Sequence, residues 1–518
     1  EHMADFWRGN RTRLLTLAIL TILFVTAIRG METEDWVITV LRGLSVGAVT
    51  FLVASGLSLI FGLMDVLNLA HGELFMIGAY VGWTVYVRPD TFMDVLPLPL
   101  LLAVGFLLLP LWAVVVSRWG PAGRARQIWP FIALLLGGAA LLFALQRYPI
   151  TIWNPEDYAQ SPISYSLALS QGTLQLPDAI AATTAPLLLL LVLLSGCLLG
   201  LALVGFQRRH LEGGRQEKLR RQPLIVAGIV FLVGLLVFLF NDRLGAAVFA
   251  LPSMWRFLLA MLLATLTGGV LGMLIEGALI RPLYDRPIYQ LMMTLGLSFI
   301  GIEMVRSVWG RPEFTMPKPE LFSGTGDGCP ATSFNDLLTY KCSTILLFDG
   351  RIRTYNEVFV ILVGVLVLVA VWLILQRTRI GMIIRAGVQD SEMVEALGIN
   401  VRAVFTFVFA LGVGLAALGG VLAAPSMGLS TGMGTQLLLL ALIALAIGGL
   451  TSFPGAAAGA VLVGLLQQFI IKYGQIGINL PFLAEPFKPS PPLVPASTVL
   501  LMVIILLVLP NGLFGRKE

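Results

Sequence analysis

The sequence predicts an all-α, polytopic integral membrane protein with about 14 transmembrane helices and both termini in the cytoplasm. Hydrophobic residues make up 57% of the 518 positions, and charged residues only 12%. Soluble domains are about a quarter charged, so this chain has too little polar surface to coat a globule in water. Its apolar residues also form long blocks, and each bilayer-spanning helix needs roughly 20 of them.

The predicted spans follow the apolar runs along the chain. The first run comes after three arginines within 8–13 and has no A-x-A cleavage site, which favours a retained anchor helix over a cleaved signal. Glu1 and His2, which precede Met3, are interpreted as residues added in expression and are set aside. The spans are predicted at 14–29, 36–62, 72–88, 95–117, 128–146, 180–206, 223–241, 256–280, 288–309, 355–376, 403–424, 436–451, 455–472 and 497–510.

The basic residues predict the orientation. Most of the 34 lysines and arginines fall in segments that a cytoplasmic N-terminus places inside, and most acidic residues fall in segments placed outside. Cytoplasmic loops of membrane proteins carry this excess of positive charge. An even number of crossings then returns the C-terminus to the cytoplasm.

Composition also argues against several other classes of protein. The three histidines and three cysteines do not have zinc-site spacing, and no glycine is followed by lysine, so a Walker A loop is absent from the sequence. The net charge of +5 arises from loops between apolar blocks, as membrane topology requires. We therefore expect no metal, no cofactor and no nucleic acid on this chain, and a lipid bilayer around it.

A polar break lies between the second and third predicted spans. Asn68, His71, Gly72 and Glu73 lie between two apolar runs, and polar backbone in hydrocarbon costs several kcal/mol unless protein or a water-filled cavity satisfies it. Broken helices often line translocation paths. A tight cytoplasmic turn, with Glu73 complementing a helix N-terminus, explains the same residues equally well.

Few ionisable residues lie within the predicted spans. Glu276 lies five positions before Arg281, and Glu303 lies three before Arg306, so both are expected to form structural ion pairs. A carrier coupled to protons or sodium needs buried charged groups that can bind the coupling ion. The sequence leaves almost none free for that purpose.

The predicted outside loop 310–354 contains Cys329 and Cys342 amid Gly, Pro, Asp and Ser. An oxidising compartment favours a local disulfide between them, although two free thiols that never meet are the alternative. We expect the disulfide to rigidify a docking loop.

The predicted cytoplasmic loop 377–402 contains a short amphipathic segment. Asp390 is a suitable helix N-cap, and Gly398 is a suitable helix end. Met393, Val394 and Leu397 are predicted to share one apolar side. That side needs either a protein partner or packing on the membrane surface to cover it.

Five segments together resemble the permease subunits of branched-chain amino-acid (LIV-type) ABC importers. They occur in the family's order, within 36–90 and 256–518, and the most specific patterns are N-x-A-H-G-E and R-A-x-x-x-D-x-x-x-x-x-x-L-G-I. The segments are VGAVTFLVASGLSLIFGLMDVLNLAHGELFMIGAY at 46–80, ALIRPLYDRPIYQLMMTLGLSFIG at 278–301, RIGMIIRAGVQDSEMVEALGIN at 379–400, AIGGLTSFPGAAAGAVLVG at 446–464 and VLPNGLFGR at 508–516.

The resemblance implies a subunit of the bacterial inner (plasma) membrane that works with two cytoplasmic ATPase subunits, a second permease and an external solute-binding protein. ATP and Mg would bind to the ATPases. The second permease would form a heterodimer with this chain, or a second copy a homodimer. The resemblance favours a pathway or gate role for Asn68, His71, Gly72 and Glu73. It assigns ATPase coupling to seven loop residues, namely Arg385, Ala386, Asp390, Met393, Val394, Leu397 and Gly398.

The chain departs from the family pattern by an insertion with four predicted helices and a basic loop at 207–222. Lipid binding, a wider partner interface and regulation are all open as its role. The predicted organisation is 1–35, comprising added residues, cytoplasmic tail and extra helix; 36–94, the first permease-core block; 95–255, the insertion; and 256–518, the second permease-core block.

The preferred interpretation is an importer permease for branched-chain amino acids or related small polar solutes such as urea or short amides. It would be a transport subunit and not an enzyme. The alternatives are a stand-alone secondary carrier or channel, and a membrane-bound enzyme for which the sequence offers no convincing nucleophile, metal site or phosphate site. Scarce intramembrane charge and the coupling-like loop favour the importer over the carrier.

Overall fold

The computed structural model is almost entirely helical. It describes residues 2–119, 125–148, 155–171, 184–208, 221–284, 286–311, 313–348, 350–389, 391–478 and 485–515. The first eleven α-helices are α1 (His2–Arg29), α2 (Thr33–Met64), α3 (His71–Val87), α4 (Pro89–Val95), α5 (Pro97–Leu107), α6 (Leu109–Trp119), α7 (Ala125–Arg147), α8 (Pro155–Gln160), α9 (Pro162–Gln171), α10 (Ala185–Arg208) and α11 (Arg221–Leu239). The remaining α-helices are α12 (Asn241–Phe249), α13 (Ser253–Ile275), α14 (Pro287–Trp309), α15 (Phe334–Tyr340), α16 (Val360–Arg377), α17 (Arg379–Gln389), α18 (Ser391–Ala396), α19 (Val401–Met427), α20 (Met433–Gly448), α21 (Phe453–Ile476) and α22 (Leu493–Val508).

In the described part of the chain, ten helices are long and apolar enough to cross a membrane, and four shorter helices are also apolar. The predicted class, an all-α polytopic membrane protein, is therefore confirmed. The number of crossings and the side on which each terminus lies stay predictions. Within the predicted span 95–117, α5 and α6 are separate helices, because Pro110 has no backbone N–H to continue the hydrogen-bond ladder of α5.

The described chain divides into two compact units. The first comprises residues 1–83, 253–306 and 311–518, and the second comprises 84–252 and 307–310. Within the first unit, α2 is buried along most of its length against α19 and α21. Small residues allow this contact, since a Cβ on Gly464 would lie only 2.3 Å from the carbonyl oxygen of Gly43.

The second unit is built around α5, α7, α10 and α11. Its core contains Leu101, Ala144 and Val192, and the buried Ser195 hydroxyl donates to the Gly137 carbonyl at 2.7 Å. At one end, the Asn241 amide donates to Asp94 at 2.8 Å. Only 11% of the apolar stretch of α11 is buried, so the rest of this helix surface can face lipid.

The segment between α14 and α16 forms a small folded subdomain. It contains α15 and an antiparallel hairpin of β1 (Thr344–Leu347) and β2 (Gly350–Arg353). Ser333 caps α15 in a capping box with Asp336, and hydrogen bonds from Thr332 and Ser333 hold the pKa of the Asp336 carboxyl below its usual value. Cys329 and Cys342 are joined by a disulfide bond in this subdomain.

Replacing both Cys329 and Cys342 with serine is expected to destabilise this subdomain by about 3 kcal/mol. The two cysteines are 13 residues apart, and a disulfide that closes a loop of about 15 residues contributes about that much by restricting the unfolded chain. Limited proteolysis and hydrogen exchange of the segment would measure the loss. The matched control is Cys197→Ser, which removes a free, half-buried thiol. Alkylation of Cys329 and Cys342 without prior reduction would contradict the bond.

Candidate translocation and coupling site

The predicted polar break is a non-helical segment between α2 and α3. α2 ends at Met64, and Asp65 takes a left-handed backbone conformation with φ 52°, which short polar side chains tolerate. The Asn68 side-chain oxygen then accepts the N–H of Ala70 at 3.1 Å, and the Asn68 carbonyl accepts the N–H of His71 at 3.2 Å. These local bonds end one helix and start the next.

The break lies deep in the helix bundle. The N–H of Leu69 donates to the Thr294 hydroxyl at 3.3 Å, and the Ser298 hydroxyl donates to Glu73 at 2.9 Å. Thr294 and Ser298 both belong to α14, which is about 34 Å long, and they lie about 10 and 16 Å from its start at Pro287. Glu73 therefore lies at the middle of α14, a position that a turn at the membrane surface does not explain.

The polar side chains of the break are buried and incompletely paired. Asn68 and His71 are fully buried, and Glu73 is 2% exposed. Among the described residues, no partner is found for the Asn68 amide nitrogen or for Glu73 Oε2, whereas the His71 ring interacts with the Val53 backbone. Buried polar groups are nearly always paired because each unpaired one is costly, so this cluster requires a functional explanation.

The start of α20 packs against the start of α3. A Cβ on Gly72 would lie 2.4 Å from the Gly434 carbonyl oxygen, and a Cβ on Gly434 would lie 2.5 Å from the Gly72 carbonyl oxygen. The Thr435 hydroxyl also donates to Glu73 Oε1 at 3.2 Å. Glu73 thus lies in the first turn of α3 and beside the first turn of α20, and joins both to α14 through hydroxyl hydrogen bonds.

The sequence analysis did not find four residues that contact the break. Thr294 accepts from the Leu69 N–H, Ser298 and Thr435 donate to Glu73, and Gly434 lies against Gly72. Thr294 and Ser298 are four residues apart on an apolar helix, and this spacing places them on one face. That spacing was the available signal for a polar stripe. Nothing in the local sequence indicates that the stripe faces α3.

The two predicted ion pairs of the spans are confirmed. Arg281 donates to both carboxylate oxygens of Glu276, at 3.1 and 2.8 Å, and Arg306 donates to Glu303 at 2.7 Å. The buried Glu276 lies in a π-helical turn at the end of α13 and also accepts hydrogen bonds from Tyr284 and Thr406. Both carboxylate oxygens of Glu276 are therefore hydrogen-bonded, and the bond from Thr406 connects the end of α13 to α19.

Glu276→Gln is expected to lower the free energy of unfolding by about 3 kcal/mol, the low end for breaking a buried pair. The Arg281 side chain is 38% exposed and can keep water, which limits the loss. Thermal unfolding of the purified chain in detergent would measure it. The control Glu303→Gln removes an exposed pair and should cost less than about 1 kcal/mol; equal losses in the two variants would contradict the burial argument.

The predicted coupling loop forms two short helices, α17 and α18. α18 ends in a left-handed glycine, Gly398 with φ 81°, whose N–H donates to the Glu395 carbonyl. Met393 and Leu397 are 65% and 74% exposed, whereas Val394 is buried. The predicted apolar side is therefore divided: Met393 and Leu397 point outward, and Val394 anchors the helix. Asp390, the predicted N-cap, lies outside the described residues.

Arg385 and Ala386 lie on α17. Arg385 donates hydrogen bonds to the Leu375 carbonyl and, at 3.1 Å, to the Gln376 side chain, so it satisfies acceptors at the end of α16. Ala386 lines a cavity of about 610 Å³ between α17, the last turns of α2 and the α20–α21 connection. A Cβ on Gly387 would lie 3.4 Å from the Leu63 side chain, so α17 lies against the residues that immediately precede the break.

In the described part of the chain, ten apolar helices long enough to span a bilayer define a multi-pass membrane protein, and a buried polar break lies beside the middle of α14. Residues 220–509, more than half of the chain, match the family described as "Branched-chain amino acid transport system / permease component". The chain belongs to this family. Its relatives are transport components and not enzymes.

Three relatives illustrate the similarity. The high-affinity branched-chain amino acid transport system permease protein BraD of Pseudomonas aeruginosa is 29% identical over 171 residues, which is 33% of this chain and 51% of BraD. LivH of Escherichia coli K12 is 28% identical over 172 residues, again 33% and 51% of the two chains. A probable LivH of Methanocaldococcus jannaschii is 24% identical over 169 residues, 33% of this chain and 50% of that one. The chain spans about half the length of the curated relatives it matches, and no solved structure matches it.

Proposed function

We propose that this chain is the membrane permease subunit of an ABC importer in the bacterial inner membrane. It would conduct branched-chain amino acids or related small polar solutes into the cytoplasm, while separate ATPase subunits bind ATP and Mg. Family membership supports the assignment as a transport permease, and the names of the relatives indicate branched-chain amino acids as the transported solutes. The single observation that carries the mechanism is the buried, incompletely paired break at Asn68–Glu73.

The coupling surface is α18. Met393 on α18 and Leu397 in the turn just after it offer two exposed apolar side chains, four residues apart, to a groove on an ATPase subunit. Two ATPases are expected because a second permease would present a second such helix. The subdomain at 313–353 is the proposed contact for an external solute-binding protein, held in shape by its disulfide.

Motion at α18 reaches the break through direct contacts. α17 lies against Leu63 in the last turn of α2, and the chain then continues through Asp65–Ala70 to Glu73. Displacement of α17 therefore shifts the segment that holds α3 against α20. We propose that the Gly72–Gly434 contact is a closed gate, which opens when the first turns of α3 and α20 separate.

A secondary carrier is a second candidate, favoured by one observation. Sequence reasoning found almost no free intramembrane acid, yet Glu73 is a buried carboxylate with an unpartnered oxygen. Such a group can bind a coupling ion. The importer is preferred because the chain belongs to a family of transport-system permease components, and because Leu397, in the turn after α18, is an exposed apolar side chain that an ATPase subunit could bind.

The test is purification of the chain from its native membrane, identification of bound proteins by mass spectrometry, and reconstitution of the assembly into liposomes. We expect an ATPase pair, a second permease and uptake of L-leucine that requires ATP. Recovery of the chain alone, with uptake driven by an ion gradient and unaffected by ATP, would replace the importer with the carrier.

A further inference from the structure

We propose that the Glu73 carboxylate binds the ammonium group of the cargo, so that the pathway selects solutes with a primary ammonium over uncharged amides. This inference rests on the proposed function and extends it to the chemistry of the cargo. It begins from the two oxygens of Glu73, which have different surroundings.

Oε1 of Glu73 is occupied and Oε2 is free. The Ser298 and Thr435 hydroxyls both donate to Oε1, at 2.9 and 3.2 Å, and fix the orientation of the carboxylate. Oε2 is buried, has no partner among the described residues, and lies beside Gly434, where a Cβ would approach it to 2.6 Å. The carboxylate is therefore held in place with one acceptor left over.

No cation compensates this carboxylate in the part of the chain that the structure describes. The other acids with comparable burial, Glu276 and Glu357, each pair with an arginine, Arg281 and Arg42 respectively. A buried carboxylate without a cation is costly, whereas a charge-assisted hydrogen bond from a bound cation compensates it. Glu73 is thus the acid whose missing partner a ligand can supply.

An ammonium group fits this vacancy better than an uncharged amide. It has three donors and a full positive charge that compensates the carboxylate, whereas an amide N–H donates a hydrogen bond but leaves the buried negative charge without a counter-charge. The unpartnered amide nitrogen of Asn68, five residues earlier, is a donor suited to the carboxylate end of the same zwitterion. Small hydroxyl and glycine neighbours leave room for a ligand once α3 and α20 separate.

The site is closed in this structure. Glu73 is 2% exposed, and the Gly72–Gly434 contact fills the space where α3 and α20 cross. Cargo therefore reaches Oε2 only in the open gate, which explains how one residue can both join the helices and bind the cargo. When the cargo leaves and α20 returns to α3, the Thr435 hydroxyl can again donate to Oε1 beside the Ser298 hydroxyl, and the gate closes.

The experiment compares Glu73→Gln, Ser298→Ala and Glu303→Gln in the reconstituted importer assembly, with L-leucine as the probe. Glutamine keeps the shape and an acceptor for the two hydroxyls but removes the charge. We expect Glu73→Gln to raise the KM for L-leucine about tenfold or more, as loss of a charge-assisted bond does, while ATP hydrolysis by the assembly is kept. Ser298→Ala removes one of the two hydroxyls that orient the carboxylate and should raise KM by less than Glu73→Gln does. The control Glu303→Gln, an exposed acid, should leave KM within about twofold.

Three outcomes would overturn the proposal. An unchanged KM in Glu73→Gln would mean that the carboxylate is protonated or idle during transport. An equal rise in KM in Ser298→Ala, or loss of ATP hydrolysis in Glu73→Gln, would reduce Glu73 to a structural contact. Failure of the wild-type assembly to import L-leucine with ATP would instead reject the proposed function itself, so the two failures are distinguishable.

Discussion

Gly434→Ala is expected to abolish uptake by this permease. The new methyl group would lie 2.5 Å from the Gly72 carbonyl oxygen and 2.6 Å from Glu73 Oε2, both far inside van der Waals contact. The first obstacle is backbone and cannot rotate away, so α3 and α20 must separate. Overpacking of this kind costs about 1–3 kcal/mol, and here it falls on the contact that we propose as the gate.

The measurement for Gly434→Ala combines uptake, ATP hydrolysis and thermal unfolding of the purified chain. We expect uptake to be lost and hydrolysis to become independent of cargo, because the closed gate can no longer form. The matched control is Gly432→Ala, two residues earlier, where an added Cβ meets nothing within 4 Å. Normal uptake in Gly434→Ala, or equal loss in Gly432→Ala, would show that the close approach of α3 and α20 has no role in transport.

Leu397→Asp is the second substitution with a large expected effect. Leu397 is 74% exposed in the turn that follows α18, so a charged side chain at this position should leave the free energy of unfolding within about 0.5 kcal/mol of wild type. A carboxylate placed in an apolar groove of the ATPase would, however, be desolvated without a partner. We expect the ATPase to dissociate from the permease and ATP-dependent uptake to fall to background.

Co-purification of the ATPase and uptake by vesicles would measure the effect of Leu397→Asp. Leu397→Met retains an apolar side chain and should behave as wild type. Leu338→Asp, at an exposed apolar position on α15, controls for added surface charge in the co-purification alone, because α15 belongs to the proposed contact for the solute-binding protein. An intact, active assembly in Leu397→Asp would disprove the coupling role of α18. Gly398 is a poorer position for this test, because any side chain there is strained at φ 81°.

Local features of the fold could be predicted from the sequence because they depend on neighbouring residues. The apolar runs predicted a membrane protein, and the interruption at Asn68–Glu73 predicted a break between α2 and α3, since both are visible over a few positions. The Glu276–Arg281 and Glu303–Arg306 pairs followed from helical spacing. The division of 377–402 into α17 and α18, with Val394 buried and Met393 exposed, was not predictable because it depends on what each face packs against.

The sequence by itself determined the class of the protein, the family and the position of the polar break, because composition, periodicity and motif are properties of consecutive residues. Only the tertiary structure decided that Glu73 lies beside the middle of α14, that its neighbours are Ser298 and Thr435, and that Gly72 meets Gly434. These residues are separated by hundreds of positions, and their contact depends on how helices of small residues cross. The sequence shows that residue 73 is a glutamate, but only the packing of the described chain leaves its carboxylate without a neighbouring cation.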